Sequence, residues 1–368
     1  MKRAASVVAS LAMVTCGMGV AAAGSYGQPH LIPTLNHECV VTAIATQLSG
    51  FANCSKGGGG SGAKDALAYV TRVGGAWRTV PVSATGLVRA TASDAQASYV
   101  LLEEHQPNGS PFAVIGRRDS SGKFTQRSIG YSGSIGQASL VAEGGRWWAV
   151  WAASTGAGSE SRLTEAGTLL GERQASFITA PGAIDVAPSL ALRPHGGLVL
   201  VWQRLIDNGD QATGDIRLAV RTGDAWRSRT VESGDTQTQP QIATDGEHVF
   251  ALWMRQGQPV VGSDESGTIQ LHHFASRACA RHPVLAVRPG WVVAFYEQCL
   301  QNGSGGNPDS GESVTALQRL AGRWTSQAAY KNSSVPRLLI AAAFIGTRPA
   351  YIFGNAPNTA SYSSELVA

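Results

Sequence analysis

The sequence predicts an all-β protein, a β-propeller most simply built from seven four-stranded blades, with six as the alternative. Three observations predict it: a repeated two-strand phrase, a repeated hairpin with an aromatic just past its turn, and a regular spacing between those aromatics. The phrase is clearest at Gln239-Pro240-Gln241-Ile242-Ala243-Thr244, followed after a glycine by Val249 to Arg255. It recurs at Ala187-Pro188-Ser189-Leu190 with Leu198 to Arg204, and at His282-Pro283-Val284-Leu285 with Val292 to Glu297. A further copy runs from Ala138 to Trp151, and weaker ones begin at Leu31, Gly86 and Val335. Each phrase reads as two short strands. The second is apolar on both faces, as a strand packed between two sheets must be.

The hairpins follow the phrases. Residues 67–82, 112–129, 216–227 and 314–329 alternate in polarity, turn at a glycine, and place Trp77, Phe124, Trp226 and Trp324 after the turn. Those aromatics stand 47, 102 and 98 residues apart, a period of about 49, so the chain holds about seven units of two hairpins each. Helical repeats are excluded because apolar residues show almost no 3.6-residue periodicity. The last unit ends one strand short, and residues 27–31 are expected to supply the missing outer strand and close the ring.

Of 368 residues, 43% are hydrophobic and 15% charged. These values exclude a disordered chain and a coiled coil. Lys2-Arg3, an apolar run and Ala21-Ala22-Ala23 form an export signal, so residues 1–23 are expected to be removed, leaving 24–368 as one propeller domain, secreted or periplasmic. Cys16 offers lipoprotein attachment as the alternative, although Met13 and Thr15 depart from that pattern. The signal run is interrupted by polar residues, and no transmembrane segment is expected. Loss of Lys2 and Arg3 leaves a net charge of about +2, too small for nucleic-acid binding by bulk electrostatics. Cys39, Cys54, Cys279 and Cys299 remain, an even number suited to disulfides in an exported chain. Three pairings are open; the local one, Cys39–Cys54 with Cys279–Cys299, is preferred. No Cys/His spacing fits a metal site, and a monomer is expected.

On these repeats the chain resembles the sialidase-like (Asp-box, BNR-type) β-propeller superfamily. The turn Thr222-Gly223-Asp224-Ala225-Trp226 and its cousins are degenerate forms of the Asp-box. Leu31, in His30-Leu31-Ile32-Pro33, stands where the resemblance implies the first of three carboxylate-binding arginines. A leucine cannot hold a carboxylate, so the sialidase clamp is not expected here.

Propellers bind ligands at the channel mouth, where the second strands end. Glu104, His105, Arg204, Asp207, Asp210, Arg255 and Glu297 lie at those ends. Arginines there would hold carboxylate, sulfate or sugar hydroxyls, and a pair such as Glu104 and Glu297 could do acid–base work on a glycosidic bond. His105 is a candidate base. Calcium is the one cofactor considered, at Asp207, Asp210 and Asp215, whose spacing lacks the Asp-x-Asp-x-Asp-Gly pattern. The expected function is binding of a polar ligand, a glycan, without turnover. The alternatives are a carbohydrate-active hydrolase or lyase and a protein-interaction platform.

Overall fold

The computed structural model describes residues 30–31, 38–44, 49–55, 66–73, 76–154, 160–169, 171–193, 197–207, 212–234, 237–265, 267–276, 280–299, 311–331, 337–345, 348–355 and 364–367. Among these every regular element is a strand, and none of the described residues forms a helix long and apolar enough to cross a membrane.

A two-residue strand, β1 (His30–Leu31), precedes the first sheet, β2 (Glu38–Ile44), β3 (Ser49–Ser55), β4 (Ala66–Val73) and β5 (Ala76–Thr85). The next is β6 (Leu87–Ser93), β7 (Ala97–His105), β8 (Pro111–Asp119) and β9 (Phe124–Ser132). Then come β10 (Ile135–Glu143), β11 (Arg146–Ser154), β12 (Ser161–Gly167) and β13 (Arg173–Phe177), and β14 (Ile184–Leu192), β15 (Leu198–Asp207), β16 (Ala212–Thr222) and β17 (Ala225–Glu232). These last two groups share one parallel pairing, Ser161 with Ile184, and so form one eight-stranded sheet. Four-stranded sheets follow in β18 (Gln237–Thr244), β19 (Val249–Arg255), β20 (Gln258–Ser263) and β21 (Gln270–His273), and in β22 (Ala280–Arg288), β23 (Trp291–Cys299), β24 (Gly311–Leu320) and β25 (Arg323–Lys331). Finally β26 (Arg337–Ile345), β27 (Arg348–Asn355) and β28 (Ser364–Val367) take β1 as their fourth strand, His30 opposite Leu366. Up-and-down order within each group, with groups packed face to face, is the propeller plan.

The first strands of successive groups touch in turn, β2 with β6, then β10, β14, β18, β22 and β26, and β26 also touches β2. The core lies between neighbouring groups. Alternate residues of β11 face opposite ways: Trp147, Ala149 and Trp151 pack with Tyr99 and Leu101 of β7, while Trp148 and Val150 pack with Leu200 and Trp202 of β15. This is why the second strand of each phrase is apolar at every position. The aromatics after the outer turns reach back to the preceding group: Phe124 to Phe51, Trp324 to Phe274, and Trp226 to the carboxylate of Glu165. In the β8–β9 turn, Asp119 accepts hydrogen bonds from the Ser121 and Lys123 backbones and from the Ser121 hydroxyl, the last of which chiefly holds its carboxyl below the ordinary range. Gly122 completes that turn at φ 88°, a conformation that favours glycine.

Burial pushes the phenols of Tyr99, Tyr131 and Tyr296 upward. In the unfolded chain these groups ionise near pH 10, before they do in the native state. Their contribution is therefore intact below about pH 10 and is lost as pH rises through that value toward the native pKa values. Thermal melts across the alkaline range are expected to show a fall in Tm beginning near pH 10; a flat profile there would contradict the burial of these rings.

Cys39 and Cys54 face each other directly across β2 and β3. Cys279 and the export signal lie outside the described residues, as do the side chains of Cys39 and Cys299.

Candidate functional site

The chemistry of the site starts from a repeated irregularity. Every first strand of a group, β2, β6, β10, β14, β18, β22 and β26, breaks register with its neighbour once, near its start in all but β2, where the break falls between Val41 and Ala43. Each break is a β-bulge, in which one extra residue is accommodated. In β14, β18 and β22 the bulge contains Ala187-Pro188, Gln239-Pro240 and His282-Pro283. The residue before each proline is left-handed, with φ of 51°, 54° and 48°. Such a conformation costs a non-glycine residue about 1–2 kcal/mol. The proline itself suits the bulge because it has no N–H to leave unpaired inside a sheet.

The strained backbone is held from the neighbouring sheet. The Ala187 N–H donates to Gln137 Oε1 at 2.8 Å, and the His282 N–H donates to Gln239 Oε1 at 2.9 Å. Two residues after each of Gln137 and Ala187, Ser139 and Ser189 accept from the backbones of Leu190 and Ile242. The second strands hold the same level from outside. Asn53 Oδ1 accepts from Val88 N at 2.8 Å, Glu103 Oε2 from Ile135 N, and Glu297 Oε1 from Leu339 N at 2.6 Å. Each donor is the residue just before a bulge.

Six of these strands, β6, β10, β14, β18, β22 and β26, line a cavity of about 430 Å³ at this level. Its polar walls are Arg89, Thr91, Gln137, Ser139, Gln239, Gln241 and His282, and its apolar walls include Leu140, Pro188, Pro283 and Leu285. The volume lies within the range of small-molecule sites, roughly 300–1,000 Å³. Arg89 pairs with Glu103 at 3.1 Å, the carboxylate being buried. His282 Nδ1 lies 2.8 Å from Glu297 Oε2, and Glu297 is 2% exposed. A carboxylate only accepts, so Nδ1 carries the proton and Nε2 is the ring's acceptor when the imidazole is neutral. Arg281 Nε also donates to Glu297. Toward the opposite end, a second cavity of about 400 Å³ shares Thr91, Leu140, Leu285 and Ala342 with the first and is walled mainly by small apolar side chains.

The residues singled out from sequence fall at the same end of the sheets but in separate settings. Glu297 stands behind the cavity wall as described. Arg204 makes a two-pronged pair with buried Asp185, both contacts at 2.8 Å, and this pairing holds its guanidinium above the usual range. Asp185 also accepts from Trp202 Nε1. Arg255 repeats the arrangement one group later, with Glu232 at 2.9 Å and Trp253 Nε1 on the same carboxylate. Glu104 accepts from Gln126 Nε2 on the exposed side, and His105 ends β7 in solvent. Asp210 and the side chain of Asp207 lie outside the described residues.

Backbone register aligns Glu103, rather than Glu104, with Glu297 and Asn53. Sequence reasoning missed Arg89, Gln137, Gln239, Gln241 and His282. The signal was present, because Gln239 and His282 immediately precede the prolines of the repeated phrase.

No protein-family model matches the chain, and no curated protein matches it. Solved structures do. The phage phi92 endosialidase is 9% identical with a TM-score of 0.50, covering 93% of this chain and 68% of that one. A Penicillium chrysogenum α-L-arabinanase complexed with arabinobiose is 9% identical with a TM-score of 0.52, covering 94% and 98%. YCF48 from Cyanidioschyzon merolae is 13% identical with a TM-score of 0.54, covering 93% and 98%. At such identities the likeness is one of fold, and in fold this chain is similar to β-propeller proteins that include an endosialidase and an arabinanase.

Proposed function

We propose that the chain is an exported, monomeric propeller that binds a glycan in the cavity at the bulge end of its channel, without turnover. The observation that carries this is the cavity itself: amides, hydroxyls and one oriented imidazole from different sheets converge on one space of small-molecule size. The fold likeness to an endosialidase and an arabinanase supports a carbohydrate ligand. A second reading, a carbohydrate-active enzyme, is favoured by the His282–Glu297 pair, which has the form of a general base and its orienting carboxylate.

The test is a glycan array with the purified chain and with Gln241→Ala, each incubation also analysed by mass spectrometry. Gln241 lines the cavity and is half-buried. Its loss is expected to weaken binding up to about tenfold, as deletion of one or two hydrogen bonds would. Product formation would establish the enzyme reading. Absence of any glycan bound would move the assignment to a protein partner.

The same reading includes closure of the seven four-strand groups into a ring through β1, and the disulfide Cys39–Cys54, supported by their register. Deleting residues 26–32 is expected to lower Tm sharply, because the edge of β28 loses its partner. An unchanged melting curve would refute closure by this strand.

A further inference from the structure

We infer that the cavity selects an uncharged, polyhydroxylated ligand, a neutral oligosaccharide, over a carboxylated or sulfated one; the inference rests on the glycan reading above. Two ionisable side chains line the cavity among the described residues, Arg89 and His282. Each is already matched by a buried carboxylate of its own sheet, Arg89 by Glu103 and His282 by Glu297. An anion entering the space would therefore meet compensated cations with a fixed negative charge directly behind each. The Arg89 guanidinium is held to its carboxylate through Nη2 at 3.1 Å, so a ligand that reaches it meets an ion pair and not a lone cation.

What remains for a ligand is neutral. The amide oxygens of Gln137 and Gln239 are committed to backbone N–H groups, which fixes the flip of each amide and leaves its NH₂ as a double donor. His282 Nε2 offers an acceptor to a hydroxyl. The Thr91 hydroxyl, on a side chain 8% exposed, has no hydrogen-bond partner among the described residues, although Thr91 lines the cavity. A buried hydroxyl left unpaired is costly and marks a place for a partner. The rings of Pro188 and Pro283 supply apolar faces beside these groups. Donors and acceptors interleaved with apolar facets match the hydroxyl edges and C–H faces of a neutral sugar.

Calorimetric titration of the whole chain with two panels tests this. One holds neutral arabino-, xylo-, gluco-, galacto- and manno-oligosaccharides; the other holds oligomers of uronate, sialic acid and sulfated sugars. Each is run at about 50 and about 500 mM salt, where screening differs strongly. The expected result is binding of a neutral oligomer that changes less than about twofold with salt and weakens in Thr91→Val, while that variant melts no lower than wild type. Binding confined to acidic glycans, weakened by salt, would overturn the selectivity and leave the glycan reading standing. Neutral binding unaffected by both Thr91→Val and Gln241→Ala would overturn the site. Silence of both panels would remove the glycan reading and this inference with it.

Discussion

Replacing Glu165 by alanine is expected to lower the unfolding free energy by about 3–5 kcal/mol, the cost of stripping a buried cation of its partner. Glu165 is 1% exposed and satisfies four donors from four strands, β11, β13, β16 and β17. Oε1 takes Arg173 at 2.7 Å; Oε2 takes Arg221 at 3.0 Å, Trp148 Nε1 at 3.1 Å and Trp226 Nε1 at 2.8 Å. The Arg221 side chain has no exposed surface and lies 4.2 Å over the Trp148 ring. Burial pulls its guanidinium below the ordinary arginine range, with Glu165 the chief opposing influence. Without that carboxylate, Arg221 keeps only the Gly223 carbonyl and, at 3.5 Å, the solvent-exposed Asp224. A domain is held by about 5–15 kcal/mol in total, so the variant is expected to be marginal. The double variant Glu165→Leu, Arg221→Met should recover most of the loss, since apolar replacement of a whole buried pair is often neutral. Urea titration of the three proteins checks both statements. A single-variant loss below about 1 kcal/mol, typical of an exposed pair, would mean that water reaches the carboxylate.

The second large effect belongs to Glu297. Glu297→Ala removes in one step the acceptor of Leu339 N, the partner of Arg281 and the orienting group of His282. A loss of about 3–5 kcal/mol is again expected. Glu297→Gln separates the contributions: its amide oxygen can still receive Leu339 N, but its NH₂ cannot receive a proton from His282 Nδ1. That variant is expected to lose about half as much stability, while nitrogen-edited NMR shows the His282 proton no longer fixed on Nδ1. Glutamine with wild-type tautomer and wild-type glycan binding would show that Glu297 acts only as a structural latch.

Both residues explain what the sequence discloses and what it conceals. The repeated phrase is visible because packing on two faces demands uninterrupted apolar runs such as Trp147 to Ala153, and because turns demand glycine. The all-β propeller fold is therefore legible. The proline in Ala187-Pro188 and its copies is visible too, yet its meaning is not, since a bulge is a relation between two strands and appears in neither alone. The rim shows the same limit. Arg204 looks like a free cation in sequence, but its carboxylate, Asp185, is 19 positions earlier and comes opposite it only through the β14–β15 register. Glu104 and Glu103 are equivalent as letters; a one-residue shift in register decides which reaches the next sheet. Gln137 carries no motif at all, because what singles it out is a strained neighbour 50 residues downstream; Gln239 is marked by its proline, but its hold on His282, 43 residues on, is not.

The latches in which a side chain of one sheet receives a backbone N–H of the next point one way along the chain. In Asn53 to Val88, Glu103 to Ile135, Gln137 to Ala187, Gln239 to His282 and Glu297 to Leu339, the side-chain acceptor is the earlier residue and the backbone donor the later. A chain that folds from its N-terminal end thus presents at its unfinished edge a row of carboxylates and amides that water solvates well. The group that would be costly to strand, a buried peptide N–H, arrives only with the sheet that buries it, and meets an acceptor already waiting. Polarity of this kind would let each added sheet finish its predecessor without exposing a hungry donor to neighbouring chains.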